Sequence, residues 1–244
     1  PKTLLLIHLS YGNKHELFYF SKLILPMTNF QTAREAMVDC QVRPSDVTKY
    51  PIIDALLQTP KEKYVPIEKQ SIAYMGEHLK ISDNRVILDP RIFAKMLDSI
   101  SIKSEELVLD VACGTGYSTA VIARLAQAVV ALESDHNLAT FAQKALEDNG
   151  VDNAIVIKGE LSNGDAKHGL YDVIIIEGGV GKLSDKLKEQ LKDGGRIIGI
   201  FTDGAMGQCY LGIKKGSNIT WRSEFDASAP VLKDFAITET FSLI

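Results

Sequence analysis

The sequence lacks long apolar runs. The longest uninterrupted stretch is five residues, Ala128 to Leu132, in a chain of 244, whereas a membrane-spanning helix needs ~20. Cysteine is scarce: three residues, an odd number in a long chain, do not read as a disulfide framework and point to a reducing, cytoplasmic setting. Neither sign of charge dominates, since 27 basic side chains against 31 acidic ones leave a formal charge of −4. The basic excess usual in nucleic-acid binders is therefore missing. Internal repeats and low-complexity segments are missing too. What remains, 45% hydrophobic and 24% charged residues, describes a globular chain rather than a disordered, collagenous or coiled-coil one. At ~150 residues per domain the length corresponds to about 1.6 domains, so one large domain or two small ones.

Residues 1–26 read differently from the rest. The stretch from Thr3 to Leu9 is apolar but interrupted by His8, and no small-x-small cleavage site follows it, so a secretory leader is not expected. The expectation is an extension or non-native start over 1–26 and a functional domain from Met27. Thr28 followed by Gln31 has the spacing of a capping box and marks a helix start. From Thr28 to about Ile87 the signals are helical and loop-like, with Ser45 as a cap ahead of a short helix through Ile52, Ile53, Leu56 and Leu57. Asp89-Pro90 supplies a cap and a first-turn proline for a helix carrying Ile92, Phe93, Met96, Leu97 and Ile100 on one face.

Beyond that point the hydrophobic period switches repeatedly. Strands are predicted at Leu107–Val111, Ala128–Leu132, Ala154–Ile157, Val173–Ile176 and Arg196–Phe201. Helices are predicted from Tyr117, over Leu138–Leu146 up to Gly150, and through Leu183, Leu187 and Leu191. Continuously apolar strands alternating with helices specify a doubly wound, mostly parallel α/β sheet covered on both faces. Cys209–Ile213 and Ile219–Phe225, flanking Gly216-Ser217-Asn218, read as a C-terminal antiparallel hairpin. The organisation expected is one domain over 27–244, with a helical lid at 27–88 and an α/β core at 89–244.

Ligands of open α/β sheets bind beyond the C-terminal strand ends, at the switch point. There the first strand of the alternating region runs into Asp110-Val-Ala-Cys-Gly-Thr-Gly-Tyr117, where Gly114 and Gly116 let the backbone approach a ligand closely. Glu133 ends the next strand, where an acid can accept hydrogen bonds from both ribose hydroxyls of an adenosine. A dinucleotide site wants a third glycine where Thr119 stands, so that fingerprint is incomplete. The S-adenosylmethionine version of the fold needs no pyrophosphate cradle and tolerates Asp110 and a small residue such as Ala112. A mere tight turn at Gly114 and Gly116 is the plainer alternative. The strand, the helix and Glu133 together favour a cofactor.

These residues resemble the protein-L-isoaspartate O-methyltransferase family over most of Met27–Ile244. Thr59-Pro-Lys-Glu-Lys-Tyr-Val-Pro66 is similar to that family's Pro-Arg-Glu-x-Phe-Val-Pro element, and Ala73-Tyr74, Gly116–Ala120, Tyr171-Asp172 and Gln190–Arg196 also match. The resemblance implies a Rossmann-like methyltransferase fold and an S-adenosyl-L-methionine site built from Asp110, Ala112, Cys113, Gly114, Gly116, Glu133 and Glu160. It implies transfer of a methyl group to the carboxylate of an abnormal aspartyl residue in a peptide or protein, opening repair through a succinimide.

The departures concentrate at Val86-Ile-Leu88-Asp89-Pro90, where the family reads Thr-Ile-Ser-Gln-Pro with a catalytic serine. Two hydroxyls become hydrocarbon at Val86 and Leu88, and Asp89 adds a negative charge that would repel an anionic acceptor. Ala112 replaces the first glycine of the loop, and Glu160 is one methylene longer than the family's acid. No catalytic residue is assigned: Leu88 fills the serine position, and for Asp89 a helix cap is preferred over catalysis. A carboxylate acceptor is already ionised at neutral pH and needs no general base, so losing the hydroxyl weakens positioning without removing an obligatory proton acceptor. A neutral or cationic acceptor would fit Asp89 better. Two alternatives stay open, the same fold with another acceptor, or a non-catalytic cofactor-binding or interaction protein. The five histidines share no ligand spacing, and no metal is assigned. The oligomeric state is left open.

Overall fold

The structure, a computed structural model, describes residues 29–83, 85–203 and 206–237. The expected extension over 1–26 and the residues Met27 and Thr28 lie outside them. Helix α1 (Phe30–Met37) is capped by Asn29, whose side chain accepts from the Thr32 amide. Asn29 takes this part because it sits one residue before the first helical turn, where an Asx oxygen reaches the third amide on. The cap expected at Thr28 lies outside the described residues, and Asn29 caps the helix that is described. Helix α2 (Tyr50–Gln58) likewise starts later than Ser45 suggests. Ser45 instead closes a 3-10 turn, Arg43–Ser45, and Lys49 with Pro51 opens the helix.

The stretch read as helical and loop-like also contains a two-stranded antiparallel sheet, β1 (Leu79–Ser82) and β2 (Arg85–Ile87). At four and three residues these strands are too short to show a period. Helix α3 (Pro90–Ile100) begins as expected: Asp89 is the N-cap, its Oδ1 accepting from the Arg91 amide at 2.8 Å. Such a cap is worth about 1 kcal/mol.

The core alternates as the periodicity predicts: β3 (Leu107–Val111), α4 (Tyr117–Ala123), β4 (Ala128–Glu133), α5 (His136–Asp148), β5 (Ala154–Lys158), β6 (Tyr171–Val180), α6 (Asp185–Glu189) and β7 (Leu191–Asp203). Helix α6 is shorter than the leucine spacing suggested. Leu191 leaves it because it pairs with Tyr171 at the start of the parallel β6–β7 ladder. The chain ends in β8 (Met206–Lys215) and β9 (Asn218–Asp226), joined by Gly216-Ser217 with Gly216 in the left-handed region at φ +59°. The sheet order is β5-β4-β3-β6-β7-β8-β9, parallel from β5 to β7 and antiparallel through the last two strands.

Strands β3, β4 and β6 are buried on both faces, hence their largely apolar sequence, interrupted by acids. On one face Met37, Leu56 and Tyr64 of the N-terminal segment join Ile100, Val108 and Ile122 in a single apolar cluster. The other face packs Leu109, Ile174, Leu187 and Ile197 together with Phe235. The N-terminal helices are thus seated on the sheet's own core, and they carry β1–β2 to the C-terminal strand ends. There the reversal between β4 and β6 around β3 makes the switch point.

Candidate functional site

Between β3 and α4 the backbone takes three left-handed residues in quick succession: Ala112 at φ +64°, Gly114 at +57° and Gly116 at +89°. Glycine adopts this region freely, whereas alanine meets its own carbonyl, at a cost of about 1–2 kcal/mol. Ala112 stays there because its amide donates to the Leu132 carbonyl at 2.8 Å, tying the loop to the end of β4. At Gly116 a Cβ would stand 3.2 Å from that of Ala142, so helix α5 presses on the loop from behind.

Two carboxylates organise this loop. Asp110, completely buried at the end of β3, accepts through Oδ2 from Ser118 (2.8 Å) and Thr119 (2.6 Å), while its Oδ1 is buried without a partner. Thr119, at the place of a third glycine, is thereby a hydroxyl donor. Glu133, also 0% exposed, accepts from the amides of Gly114 (3.0 Å), Ser134 (2.8 Å) and Asp135 (2.9 Å). Burial pushes the Asp110 carboxyl above its ordinary value; the two hydroxyls oppose this and the Glu133 charge adds to it.

Glu133 has a further partner that the sequence did not announce. Arg85 of β2 donates from Nε at 3.1 Å and from Nη2 at 2.9 Å, and its Nη2 also reaches Ser134 Oγ at 2.8 Å. The pair is buried on both sides. The hairpin also lays Ile81 over the loop, its Cδ1 2.6 Å from where a Cβ of Gly114 would stand. Beside this lid a narrow cleft, walled by Val86, Leu88, Phe93, Cys113, Tyr117 and Glu177, keeps about 10 Å³ of free volume. That is roughly the room of one water.

The remaining predicted residues fall as follows. Leu88 is fully buried in the cleft wall, and Asp89 caps α3. The Asp89 amide donates to Nδ1 of His78, whose Nε2 hydrogen-bonds the Ser228 carbonyl, so His78 ties the lid to the C-terminal segment. Cys113 is a buried free thiol that burial first, then the Asp110 and Glu133 charges, push well above the ordinary range, so it is no nucleophile. Glu160 follows β5 on the exposed side, held by Ser162 (2.8 Å) and Asn163 (2.9 Å). The neighbouring Gly159 amide donates to the Glu133 carbonyl, so the chain carrying Glu160 runs beside the end of β4.

The Thr59–Pro66 element does structural work. Glu62 and the Tyr74 hydroxyl hydrogen-bond each other, and Arg34 of α1 reaches both, at 3.2 Å to Glu62 and 2.8 Å to Tyr74. Lys61 is fully buried, its Nζ unpartnered and 5.4 Å from the centre of the Tyr117 ring. Burial lowers its amine to about 8, against the attraction of Asp89.

Sequence reading missed Arg85, for which pattern offers no signal because its partner is 48 residues away. It also missed Glu177, for which a signal existed: an acid at the end of Val173–Ile176, an otherwise apolar buried strand.

The donor and acceptor set fits a nucleoside-bearing cofactor. The orphaned Asp110 Oδ1 and the buried, unpartnered Thr115 Oγ1 lie in the loop, and Glu133 closes the strand beside it.

Comparison with known proteins accords with this geometry. A curated protein-L-isoaspartate O-methyltransferase of Syntrophus aciditrophicus is 34% identical over 172 residues, 70% of this chain and 79% of that protein. One from Roseiflexus castenholzii is 29% identical over 196 residues, 80% and 88% of the two chains. Two solved structures share the fold with TM-scores of 0.72. One, described as a protein-L-isoaspartate O-methyltransferase, is 24% identical and longer, so that 81% of this chain spans 65% of it. The other, a Plasmodium falciparum protein in complex with S-adenosyl-L-homocysteine, is 21% identical and is covered to 98% by 82% of this chain. The family model for protein-L-isoaspartate (D-aspartate) O-methyltransferase matches residues 32–222. Through that match, which runs from the first helix of the lid to the last strand of the hairpin, the chain belongs to the protein-L-isoaspartate (D-aspartate) O-methyltransferase family.

Proposed function

We propose that this chain methylates the free carboxylate of L-isoaspartyl residues, the α-carboxylate left outside the peptide bond, in damaged proteins and peptides, the step that opens repair through a succinimide. Its family membership makes it an S-adenosylmethionine-dependent methyltransferase; the isoaspartyl acceptor is the proposed part. The observation that supports the acceptor is the family match over residues 32–222, with relatives named for that reaction. The pair of carboxylates at the switch point, Asp110 with a free Oδ1 and Glu133 facing the Gly114 amide, supports the cofactor site. In this reading Glu133 holds the ribose hydroxyls, Asp110 and the Ala112–Gly116 backbone with Cys113 hold the amino-acid end, and Glu160 borders the adenine.

When bound, the cofactor supplies a methyl group on a sulfonium, a leaving group that needs no protonation. The protein's part is therefore positioning and exclusion of water. For Glu133 to hold the ribose, the Arg85 guanidinium would have to yield its place on that carboxylate. Val86, Leu88 and Phe93 give the cleft dry walls, in which hydrogen bonds to an acceptor are stronger than in water. The three free cysteines support a cytoplasmic location for this activity.

The Arg85–Glu133 pair favours a second reading, a non-catalytic S-adenosylmethionine-binding or interaction protein, because it engages Glu133 from within the chain. Calorimetry with S-adenosylhomocysteine and radiolabelled methyl transfer to an isoaspartyl peptide and its aspartyl twin separate the readings. The expected outcome is binding, with label on the isoaspartyl peptide alone. Binding without transfer would overturn the acceptor, and no binding would favour the interaction protein.

A further inference from the structure

Glu177 follows the β3–β6 ladder, in which Asp110 pairs with Ile175 and Val111 with Ile176. The side chain lies near enough for the Asp110 charge to act on it, and forms part of the cleft wall with Leu88, Val86 and Tyr117. It is 5% exposed, and its Oε1 is buried with no hydrogen-bond partner among the described residues. A buried polar atom left without a partner is strongly unfavourable unless something at the site engages it. The side chains lining the cleft bring no cation. The titratable groups facing Glu177 are Asp110 from β3, Cys113 from the glycine loop and Tyr117 from α4; the 86–88 segment and Phe93 of α3 contribute hydrocarbon.

Two neighbouring buried carboxyls without a cation between them cannot both ionise. Asp110 has the Ser118 and Thr119 hydroxyls to support its charge, and Glu177 has no such donors, so the proton settles on Glu177. Burial first, and the Asp110 charge second, hold it well above the ordinary carboxylate range.

We propose that Glu177 is the hydrogen-bond donor of the acceptor pocket, a neutral carboxylic acid whose O–H is given to one oxygen of the acceptor carboxylate. This rests on the isoaspartyl reading above. The second acceptor oxygen forms the O–CH3 bond as the bond from that methyl to sulfur breaks. The electron pair of the broken bond stays on sulfur, giving a methyl ester and a neutral thioether. Glu177 keeps its proton throughout: it orients the carboxylate and, by accepting no charge, presents no repulsion to it. An ionised glutamate at this place would exclude the anionic acceptor.

The test compares the wild type with Glu177→Gln, which keeps a donor, and Glu177→Ala, which has none. S-adenosylhomocysteine binding checks that each variant is folded. Infrared difference spectra between wild type and Glu177→Gln should show a neutral carboxylic-acid band at neutral pH. That band should shift when isoaspartyl peptide is added with S-adenosylhomocysteine. Glu177→Ala should lose about 100-fold in kcat/KM for the peptide, the usual effect of removing one such donor, while Glu177→Gln stays within about tenfold of wild type. Peptide binding to the wild type should weaken as rising pH ionises Glu177, and binding to Glu177→Gln should not follow that pH dependence. Absence of the acid band, or an alanine variant as active as the wild type, overturns the proposal while leaving the isoaspartyl reading intact. A wild type that binds S-adenosylhomocysteine but not the peptide overturns both, and the band then shows whether the acid was neutral.

Discussion

The glycine loop and the hairpin that lies across it meet at one carboxylate, Glu133, and hold it by different means. On the loop side the partners are the amides of Gly114, Ser134 and Asp135, all placed by the end of the β4 strand or by the loop itself. Those donors have no rotamer to change. On the hairpin side the partner is the Arg85 guanidinium, carried by a strand of three residues in a two-stranded sheet, an arrangement with little stability of its own. The same contrast recurs one strand away, where Asp110 Oδ2 is supported by two hydroxyls of α4 while Glu177, facing the 86–88 segment, has no side-chain donor among the described residues. The loop side is a fixed cradle, and the hairpin side is a cover whose contacts can be exchanged for a ligand's.

Glu133→Ala attacks what both sides share and should have the largest effect. It removes the carboxylate that Arg85 pairs with in the buried ion pair and takes the acceptor from three amides, a loss of about 3–5 kcal/mol for breaking a buried pair. Urea unfolding reads that loss, and calorimetry should find S-adenosylhomocysteine binding abolished. Arg85→Met sharpens the comparison because it touches the cover alone. Glu133 keeps its three amide donors, so the loss should be about 1–3 kcal/mol, and S-adenosylhomocysteine should bind more tightly because the guanidinium no longer competes. Weaker binding by Arg85→Met would break the comparison, making Arg85 a ligand of the cofactor instead of its competitor.

The division between cradle and cover is also the division between what pattern reveals and what it hides. The β3 strand, the turn into Tyr117, the acid ending β4 and the Asp89-Pro90 start of α3 are encoded by neighbours a few positions apart. Period, glycine spacing and capping chemistry therefore expose them directly. The β1–β2 hairpin escaped because strands this short carry no measurable alternation, and Arg85–Glu133 escaped because a contact 48 residues apart leaves no local trace. Leu191 was drawn into α6 by its helical spacing from Leu187, although ladder pairing with Tyr171 outweighs that spacing. Glu177 was readable in principle: an ionisable residue at the end of a strand buried on both faces breaks the pattern that defines the strand.

Asp89→Asn should have the smallest effect on stability and isolates the charge that the cover adds beside the cleft. Asparagine caps a helix as well as aspartate, and the contact from Asp89 to the exposed Arg91 is long at 3.8 Å, so stability at neutral pH should move by only about 0.5 kcal/mol. The charge itself acts on Lys61. An exposed lysine titrates at 10.5, and burial lowers Lys61 to about 8, so between these values the unfolded chain holds a proton that the folded chain lacks. Wild-type stability should therefore rise as pH climbs from about 8 towards 10.5. Among the described residues Asp89 is the carboxylate that supports the Lys61 charge against burial, and without it the folded amine gives up its proton earlier. In Asp89→Asn the rise should then begin at a lower pH, with the upper end of the window unchanged because that end belongs to the unfolded chain. Melting temperatures collected from neutral to alkaline pH would show it. An onset at the wild-type pH would mean that Asp89 is a cap alone and that its charge does not reach the amine behind Tyr117.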